Sequence, residues 1–268
     1  MDLTDDQLER YARHIVLKEV GGPGQARLLG ARVLVIGAGG LGSPLLMYLA
    51  AAGVGTLGIV DDDRVSLSNL QRQIVHHTAD VGRPKGASAA DRLAAINPDV
   101  TVTRHDLRLT ADNADALVAD YDVIADGSDN FTTRLAVNDA CVRQRRPLVS
   151  AALSQFEAQL ATFKPHAGKP GRPLPCYRCF LPAAPEAADR SCADAGLLGA
   201  MAGVLGAWQA VEVIKELLGI GDSLAGRMVI FDALTARTRT IRLPADPACP
   251  TCADTTATRT ADLDIETA

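Results

Sequence analysis

The chain has 268 residues, of which 47% are hydrophobic, and its formal net charge is −5 at neutral pH. This length and apolar content predict a large buried core, and the acidic balance argues against nucleic acid or an anionic membrane as a partner. The first six residues are acidic where a secretory signal is basic and apolar, so we expect a cytoplasmic protein. Its six cysteines should then serve as metal ligands or reactive thiols rather than in disulfides.

Residues 1–30 are predicted to form N-terminal helices. The segment Thr4-Asp-Asp-Gln has the spacing of a capping box, and the helix that it opens should continue to about Lys18. The Gly-Gly-Pro-Gly run at 21–24 is expected to break the chain before a short helix over 25–29.

Residues 31–163 are predicted to form a nucleotide-binding α/β domain organised around a glycine turn. A buried strand over 32–36 leads into Gly-Ala-Gly-Gly-Leu-Gly at 37–42 and then into a helix over 45–52. This G-x-G-x-x-G pattern leaves the backbone bare, so phosphates can approach the positive N-terminus of the helix. The alternative is a tight turn that binds nothing. The candidate cofactor-binding residues of the turn are Gly37, Gly39, Gly40 and Gly42.

Polar side chains follow the next predicted strand. The strand over 58–60 ends at Asp61, whose carboxylate can accept hydrogen bonds from a ribose. No Gly-Lys-Ser/Thr follows the glycines, so a P-loop is excluded and positive charge must come from elsewhere. Asn69, Arg72 and Lys85 lie just past this strand, on the nucleotide side of a doubly wound sheet. The histidine pair at 76–77 is expected only to border the nucleotide loop.

Acidic residues end a further strand. A helix over 86–96, a strand over 100–104, a helix over 111–119 and a strand over 121–125 lead to Asp126-Gly-Ser-Asp-Asn130. Asp129 is predicted to hold Mg²⁺, because hard oxygen ligands suit that ion. The alternative is that Asp129, Asp126 or Asn130 caps the helix over 132–143. Strands over 147–150 and 153–163, the second antiparallel, end the domain.

Two C-x-x-C pairs in residues 164–252 predict a zinc site within the same compact unit. Each pair places two thiolates on one short turn, and together they supply a closed, structural tetrahedral site. A thioredoxin-like redox pair is the alternative, but its βαβ context is missing. The predicted zinc ligands are Cys176, Cys179, Cys249 and Cys252.

The remaining elements complete the predicted fold. Residues 195–211 are uncharged and approach the length of a membrane span, but the helical pattern continues in a soluble style, so we expect a helix buried against the sheet. Strands over 227–231 and 237–243 should form a hairpin, and the tail over 253–268 is predicted to be disordered. The predicted fold is a doubly wound, Rossmann-like, mostly parallel sheet extended by antiparallel strands, with a structural Cys₄ zinc site.

The motifs in combination resemble one family. They are Gly37-x-Gly-Gly-Leu-Gly42, Asp61-x-Asp63-x-Val-x-x-Ser-Asn69-Leu-x-Arg72-Gln73, Lys85 and Asp126-x-x-Asp129-Asn130. The pattern is similar to the MoeB/ThiF/HesA adenylyltransferases, bacterial relatives of the ubiquitin-activating enzymes, from Arg10 to Cys252. This resemblance implies ATP-dependent adenylation of the C-terminal Gly-Gly carboxylate of a ubiquitin-like sulfur carrier, with release of pyrophosphate.

The resemblance also implies roles for single residues. Asn69, Arg72, Lys85 and Asp129 would act on ATP and Mg²⁺, and Asp61, Asp63 and Asn130 would join the glycines in binding the nucleotide. Arg13 matches an arginine that enters the ATP site of a neighbouring protomer, which implies a homodimer. Taken alone, Arg10 and Arg13 indicate only a solvated charged face. Cys192 matches a cysteine that in some members bonds covalently to the carrier or to sulfur, and in others is dispensable.

Several alternatives stay open. The expected pathway is molybdopterin biosynthesis, as for MoeB, and the alternative is the thiazole sulfur carrier of thiamine biosynthesis, as for ThiF. No rhodanese-like domain is evident, so sulfur is expected from a separate donor protein. An NAD-dependent oxidoreductase would leave Arg72, Lys85 and the cysteine pairs without purpose, and a non-catalytic zinc scaffold would leave the phosphate-binding residues without one.

Overall fold

The computed structural model describes residues 3–169, 171–184 and 196–253. The strands are β1 (Arg32–Ile36), β2 (Thr56–Val60), β3 (Thr101–His105), β4 (Val123–Asp126), β5 (Leu148–Ser154), β6 (Glu157–Phe163), β7 (Arg227–Asp232) and β8 (Arg237–Arg242). The helices are α1 (Asp5–Arg10), α2 (Ala12–Ile15), α3 (Gly21–Gly30), α4 (Gly42–Ala51), α5 (Lys85–Ile96), α6 (Ala111–Ala119), α7 (Phe131–Arg143), α8 (Tyr177–Phe180) and α9 (Gly199–Leu218).

One eight-stranded sheet organises the described residues, in the order β3-β2-β1-β4-β5-β6-β7-β8. The strands from β3 to β5 pair in parallel, and β6, β7 and β8 continue the sheet antiparallel. The predicted mostly parallel sheet with antiparallel strands is therefore confirmed. The chain builds outward from β1 to β3 and then returns to β4 on the other side of β1. The carboxyl ends of β1 and β4 flank this reversal point, which is where open α/β sheets bind ligands.

Both faces of the parallel strands are buried. Val33 and Val35 pack in one core with side chains of α4 and α9. Leu34 and Ile36 point the other way and pack with side chains of α6 and α7. Because neighbouring side chains of a strand alternate between faces, a strand covered by helices on both sides needs an uninterrupted apolar run. The Val-Leu-Val-Ile sequence of β1 meets that need.

The first helix is shorter than predicted. The capping box is present, since the Gln7 amide donates to Thr4 Oγ1 and the Thr4 amide to Gln7 Oε1, both at 3.2 Å. However, α1 ends at Arg10, and Tyr11 leaves helical geometry with a ψ of 11°. Tyr11 is buried, and its hydroxyl accepts a hydrogen bond from Asn97 Nδ2 (2.8 Å). The predicted continuation to Lys18 is therefore wrong, because burial of this ring turns the chain.

The glycine-rich run at 21–24 begins α3 and does not break the chain. Gly21 has a φ of +59°, which redirects the backbone into the helix. Pro23 lies in the first turn, where its missing N–H leaves no helical hydrogen bond unmade. The predicted break is therefore wrong.

A tight turn at Gln155 and Phe156 joins β5 to β6. We predicted that the second of these strands begins at 153, but β5 extends to Ser154 and pairs antiparallel with β6. The adjacent polar residues Ser154 and Gln155 interrupt the apolar alternation, but no Gly, Pro, Asn or Asp lies there to indicate a turn.

The long helix α9 packs against α4 and β5, as predicted for a buried helix. It begins at Gly199, and Gly219, with a φ of +68°, ends it. Gln209 Nε2 donates to the carbonyls of Asp126 and Val149, both at 3.0 Å, which fixes α9 across the ends of β4 and β5. Within the described residues, no helix combines the length and apolar character that crossing a membrane requires. The hairpin of β7 and β8 follows, and all six residues of β8 are exposed.

Candidate functional site

The glycine loop forms a nest of backbone amides at the N-terminus of α4. Gly37 turns the chain with a φ of +91°, and its amide donates to the Val60 carbonyl (2.8 Å). A Cβ on Gly42 would lie 1.9 Å from the Gly37 oxygen, so only glycine fits there. The amides of residues 39–42 donate to no acceptor in the described part of the chain. Successive amides at a helix N-terminus are suited to bind an anion.

Asp61 ties the glycine loop to the end of β2. Its Oδ2 accepts from the Ala38 amide (2.7 Å) and its Oδ1 from the Asp63 amide (2.9 Å). Burial raises the pKa of Asp61, whereas the charge of Lys85 and the two amides act in the opposite direction. A carboxylate offers about four lone pairs, so each oxygen can still accept a hydrogen bond from a hydroxyl. This geometry suits the predicted ribose contact.

Lys85 is a nearly buried cation beside the loop. It begins α5, its side chain is 6% exposed, and its Nζ lies 2.8 Å from Asp63 Oδ2. The carboxylates of Asp61, Asp62 and Asp63 also lie within 4.8 Å of one another. Hard carboxylate oxygens close together can hold a divalent cation, so this triplet is a candidate that the sequence analysis did not identify.

Arg72 lies over the glycine loop, as the motif predicts. A Cβ on Gly40 would lie 3.5 Å from Cγ and Cδ of Arg72, and one on Gly39 would lie 3.7 Å from Gln73 Nε2. The carbonyl of Asn69 accepts from the amides of Arg72 (3.0 Å) and Gln73 (2.9 Å), so the chain folds back there. The structure therefore places the 69–73 segment against the amide nest.

The loop after β4 brings Asp129 to the same edge of the sheet. The buried Arg134 holds this loop by donating to the carbonyls of Ser128 and Ala151. Asn130 caps α7, since its Oδ1 accepts from the Thr133 amide (2.9 Å). Asp129 is exposed, and within the described chain its carboxylate has neither a hydrogen bond nor an ion pair. The capping alternative thus applies to Asn130, and Asp129 remains available to a cation.

Arg13 lies away from the nest of its own chain. It belongs to α2, and its neighbour His14 hydrogen-bonds Gln25, which donates to the carbonyl of Ala52 (2.9 Å). Ala52 follows the far end of α4, and ten helical residues span about 15 Å. Arg13 is therefore the one predicted phosphate ligand, among those in the described residues, that the fold does not bring to the loop.

The two C-x-x-C pairs meet in one cluster. Cys176 and Cys249 have sulfurs 3.6 Å apart, Cys179 and Cys252 have sulfurs 3.4 Å apart, and all four sulfurs lie within 4.8 Å of one another. Ligands about 2.3 Å from a tetrahedral zinc ion are about 3.8 Å from each other, so this spacing fits zinc. Contacts among the sulfurs raise the pKa of Cys176 to about 12 and lower that of Cys179 to about 2.

The cluster is attached to α7. Asp139 accepts two hydrogen bonds from Arg178, both at 2.7 Å, and one from Thr251 Oγ1 (3.3 Å). Asn138 Oδ1 accepts from the Tyr177 amide (2.7 Å). Each cysteine turn therefore carries a residue bonded to this helix, and the tail is tied to the body of the protein.

Two further observations complete the comparison with the predicted residues. Cys192 lies outside the described residues. A cleft of about 980 Å³ between β8 and the segments around Pro173 and Ser223 is lined by none of the predicted site residues.

Sequence reasoning missed Arg134 and Gln209, which position the loop after β4, and it gave His76 no role beyond bordering the nucleotide loop. A lone arginine, glutamine or histidine carries no motif that would identify such a contact.

A doubly wound sheet with an amide nest, two cations and a row of carboxylates at its reversal point defines a nucleotide-binding α/β protein. The chain belongs to the ThiF family, whose model matches residues 11–251. It is 48% identical over 255 residues to the sulfur carrier protein adenylyltransferase of Thermus thermophilus, covering 95% of this chain and 94% of that protein. It is 46% identical to the SAMP-activating enzyme E1 of Haloferax volcanii, covering 95% and 92%.

Longer relatives and solved structures extend the comparison. The probable adenylyltransferase/sulfurtransferase MoeZ of Mycobacterium tuberculosis is 47% identical over 249 residues, which cover 92% of this chain and 63% of MoeZ. The crystal structure of Escherichia coli MccB with ATP superposes with a TM-score of 0.77 at 22% identity, covering 91% of this chain and 74% of that one. PaaA superposes with a TM-score of 0.76 at 23% identity, covering 90% and 75%. These structures establish the fold alone.

Proposed function

We propose that this protein uses ATP to adenylate the C-terminal carboxylate of a ubiquitin-like sulfur carrier. The observation that carries the proposal is the amide nest of residues 39–42, with Asp61, Arg72 and Lys85 around it. The near full-length similarity to a protein named sulfur carrier protein adenylyltransferase supports this substrate class. A dehydrogenase would need the glycines and Asp61 but not a nearly buried lysine and an arginine at the same loop.

In the proposed reaction, a carboxylate oxygen of the carrier attacks the α-phosphorus of ATP. The bond from that phosphorus to the oxygen bridging to the β-phosphorus breaks, and its electron pair leaves with pyrophosphate. The product is a mixed anhydride of the carrier and AMP, whose carbonyl can be attacked by sulfur. Little covalent chemistry is required of the protein, because positioning and charge stabilisation lower the barrier.

The roles of the nearby residues follow from their positions. The amides of residues 39–42 would bind phosphate oxygens, and Asp61 would hold the ribose. Lys85 and Arg72, with Asn69, would stabilise negative charge on the phosphates. Asp129, with its carboxylate unpaired in the described chain, would hold Mg²⁺, which supplies further charge neutralisation when bound. Lys85 would exchange Asp63 for a phosphate oxygen, which gives Asp63 a role in keeping this cation in place.

The homodimer and the role of Arg13 both require a second protein chain. Because Arg13 cannot reach its own nest, we assign it to the site of a partner subunit in a homodimer. On α9, Val204 and Val211 are seven residues apart, hence on one face, and are 49% and 53% exposed. Exposed apolar side chains aligned on a helix supply a surface for such a partner.

The pathway and the sulfur step remain proposals from the sequence. We favour the carrier of molybdopterin biosynthesis, with the thiamine carrier as the alternative, and a separate protein as sulfur donor. Cys192 is proposed as the site of a covalent bond to the carrier or to sulfur. The cysteine cluster is proposed to bind one structural zinc ion, because its spacing and all-sulfur ligand set suit that ion.

The test is isotope exchange between pyrophosphate and ATP in the presence of purified carriers. An adenylating enzyme catalyses exchange that depends on a carrier with its C-terminal Gly-Gly, and a carrier lacking these two residues serves as the control. Exchange with one of the two carriers only would also decide the pathway. An absence of exchange together with NADH binding would favour the oxidoreductase, and carrier binding without exchange would favour a scaffold.

A further inference from the structure

His76 is a buried histidine that joins the glycine loop to α5. It is 5% exposed, and its Nε2 lies 3.0 Å from the carbonyl oxygen of Ala38. On the other side of the ring, Nδ1 lies 2.8 Å from Ser88 Oγ, which in turn lies 2.8 Å from Asp80 Oδ2. One chain of polar contacts therefore runs from the glycine loop through the ring to a carboxylate.

The contact between His76 and Ala38 affects how the amides of the nest are oriented. The Ala38 amide donates to Asp61, so Asp61 and His76 hold the two polar groups of this residue from different directions. The next four residues carry the amides that lack an acceptor in the described chain. Fixing both groups of Ala38 sets the direction in which those amides point.

The three contacts from Ala38 through His76 and Ser88 to Asp80 cannot all be hydrogen bonds while the His76 ring is neutral. The Ala38 carbonyl and an ionised Asp80 only accept hydrogen bonds. The three contacts therefore need three protons, but a neutral histidine and the serine hydroxyl supply two. A doubly protonated ring supplies the third, donating from Nε2 to Ala38 and from Nδ1 to Ser88, while Ser88 donates to Asp80.

We propose that His76 is a positioning residue for the nucleotide loop, and that the arrival of the nucleotide's phosphates on the loop drives the ring to take up a proton and complete the contacts. This inference rests on the proposed function, since it takes the anion of the nest to be ATP. The phosphates would bind at residues 39–42, immediately after Ala38.

The charges around the ring set the balance. Burial lowers the pKa of His76, and the neighbouring Lys85 and His77 side chains act in the same direction, whereas the Ala38 carbonyl and Asp80 raise it. Asp80 is itself paired with Arg83, and Asp61 lies on the far side of Ala38. Before nucleotide binds, burial therefore favours the neutral ring, and one of the three polar contacts then lacks a hydrogen to donate. A polyphosphate adds negative charge on the loop side and offsets Lys85, so it favours the cation.

Two substitutions separate the loop contact from the proton. His76→Gln places an amide N–H₂ where Nε2 lies, so it can still donate to Ala38 but cannot take up a proton. His76→Phe keeps a ring and removes both polar contacts. His77→Phe, at the exposed neighbouring position, is the matched control.

The experiment is calorimetric titration of each variant with a non-hydrolysable ATP analogue in two buffers of different ionisation enthalpy. We expect wild type and His77→Phe to take up more protons on binding than His76→Gln, whose uptake reports only the analogue itself. We expect His76→Phe to bind about fivefold or more weakly, as the loss of one hydrogen bond implies, and His76→Gln to lie nearer the wild type.

The outcomes distinguish this inference from the proposed function. Equal proton uptake by wild type and His76→Gln, or unchanged affinity in a folded His76→Phe, would overturn the inference alone. If His76→Phe does not fold, the proton count for His76→Gln still decides. Failure of the wild type itself to bind the analogue would instead reject the ATP site.

Discussion

At the scale of single residues, the glycines of the nucleotide loop differ in why they must be glycine. A Cβ on Gly39 has only Gln73 Nε2 within 4 Å, at 3.7 Å, whereas one on Gly42 would lie 1.9 Å from the Gly37 oxygen. We expect Gly39→Ala to change the free energy of unfolding by less than about 1 kcal/mol but to weaken binding of an ATP analogue about tenfold or more. The added methyl group would occupy the space that phosphates need.

Gly42→Ala is the matched comparison. Its methyl group would overlap backbone that cannot move without shifting β1, so we expect a loss of about 3 kcal/mol or more in unfolding free energy. Denaturant unfolding and analogue titration of both variants check the pair. Normal binding by Gly39→Ala would show that phosphates do not approach the loop as we propose.

Asp129 tests the metal assignment. Its carboxylate is exposed and lacks a partner in the described chain, so Asp129→Asn should leave the thermal midpoint unchanged. Carrier-dependent exchange should fall about a hundredfold or more, because charge stabilisation of the transferred phosphoryl group would be lost. Asp112→Asn removes another exposed acid, in the first turn of α6, and should exchange normally. Wild-type exchange by Asp129→Asn would point instead to the Asp61 to Asp63 triplet.

The sequence predicts the chemistry of single residues better than their contacts. The position of Asp61 after a buried strand, about 20 residues past the glycines, suffices to place it at the loop. The pairing of Lys85 with Asp63 and the bridge from His76 to Ala38 depend on how the connection over residues 61–84 folds back over the loop. No local pattern encodes that path. The resemblance already assigns Arg13 to the site of a neighbouring protomer, and the fold supplies the physical reason, because Arg13 lies beyond reach of its own nest.

At the scale of elements, the cysteine cluster is expected to hold one zinc ion per chain. Metal analysis should find it, and Cys249→Ser should reduce it to near zero, because three thiolates no longer close the site. Zinc binding to small peptides is worth roughly 10–16 kcal/mol, so its loss should loosen the region after β8. Binding of the ATP analogue should change little, since the cluster is attached to α7 and not to the glycine loop.

Cys141→Ala serves as the control for that variant. Cys141 belongs to α7, is buried in the core and takes no part in the cluster. Its replacement should leave the zinc content at one per chain. Unchanged zinc content in Cys249→Ser, or none in the wild type, would contradict the assignment.

Element boundaries were predictable where one physical signal dominates. Strand β1 and helix α6 follow apolar periodicity and begin and end close to where the pattern predicts them. The boundaries at Tyr11 and Gly21 depend on a buried ring and on a left-handed backbone, neither of which changes the periodicity. The turn at Gln155 was not predicted because no Gly, Pro, Asn or Asp lies there to indicate it. Hydrophobic periodicity indicates which side of an element is buried, but it does not by itself determine where the chain reverses.

At the scale of the whole molecule, the position of Arg13 leads us to predict that two subunits contribute to each ATP site. Arg13→Ala and Lys85→Ala should each be inactive as homodimers. In a heterodimer of the two variants, one site combines an intact Lys85 with an intact Arg13 from the other chain. Equal mixing with free exchange should therefore restore about a quarter of the wild-type rate of exchange.

The control is a mixture of Lys85→Ala with Arg72→Ala. Both residues lie at the same loop, so a heterodimer of these two has no complete site. Native mass spectrometry of differently tagged subunits verifies that exchange has occurred. Mixed Arg13→Ala and Lys85→Ala subunits that remain inactive after verified exchange would argue that Arg13 acts elsewhere or not at all.

Strand β8 forms an edge of the sheet that bears on self-association of the protein. Strand β8 pairs with β7 on one side only in the described structure, and a long unpaired strand edge invites pairing with another copy. Its sequence is Arg-Thr-Arg-Thr-Ile-Arg over 237–242, and every residue is exposed. Two such edges brought together would face each other with three arginines on each strand and with Ile241 as the one large apolar side chain. The antiparallel extension of the sheet therefore ends in a strand that resists polymerisation.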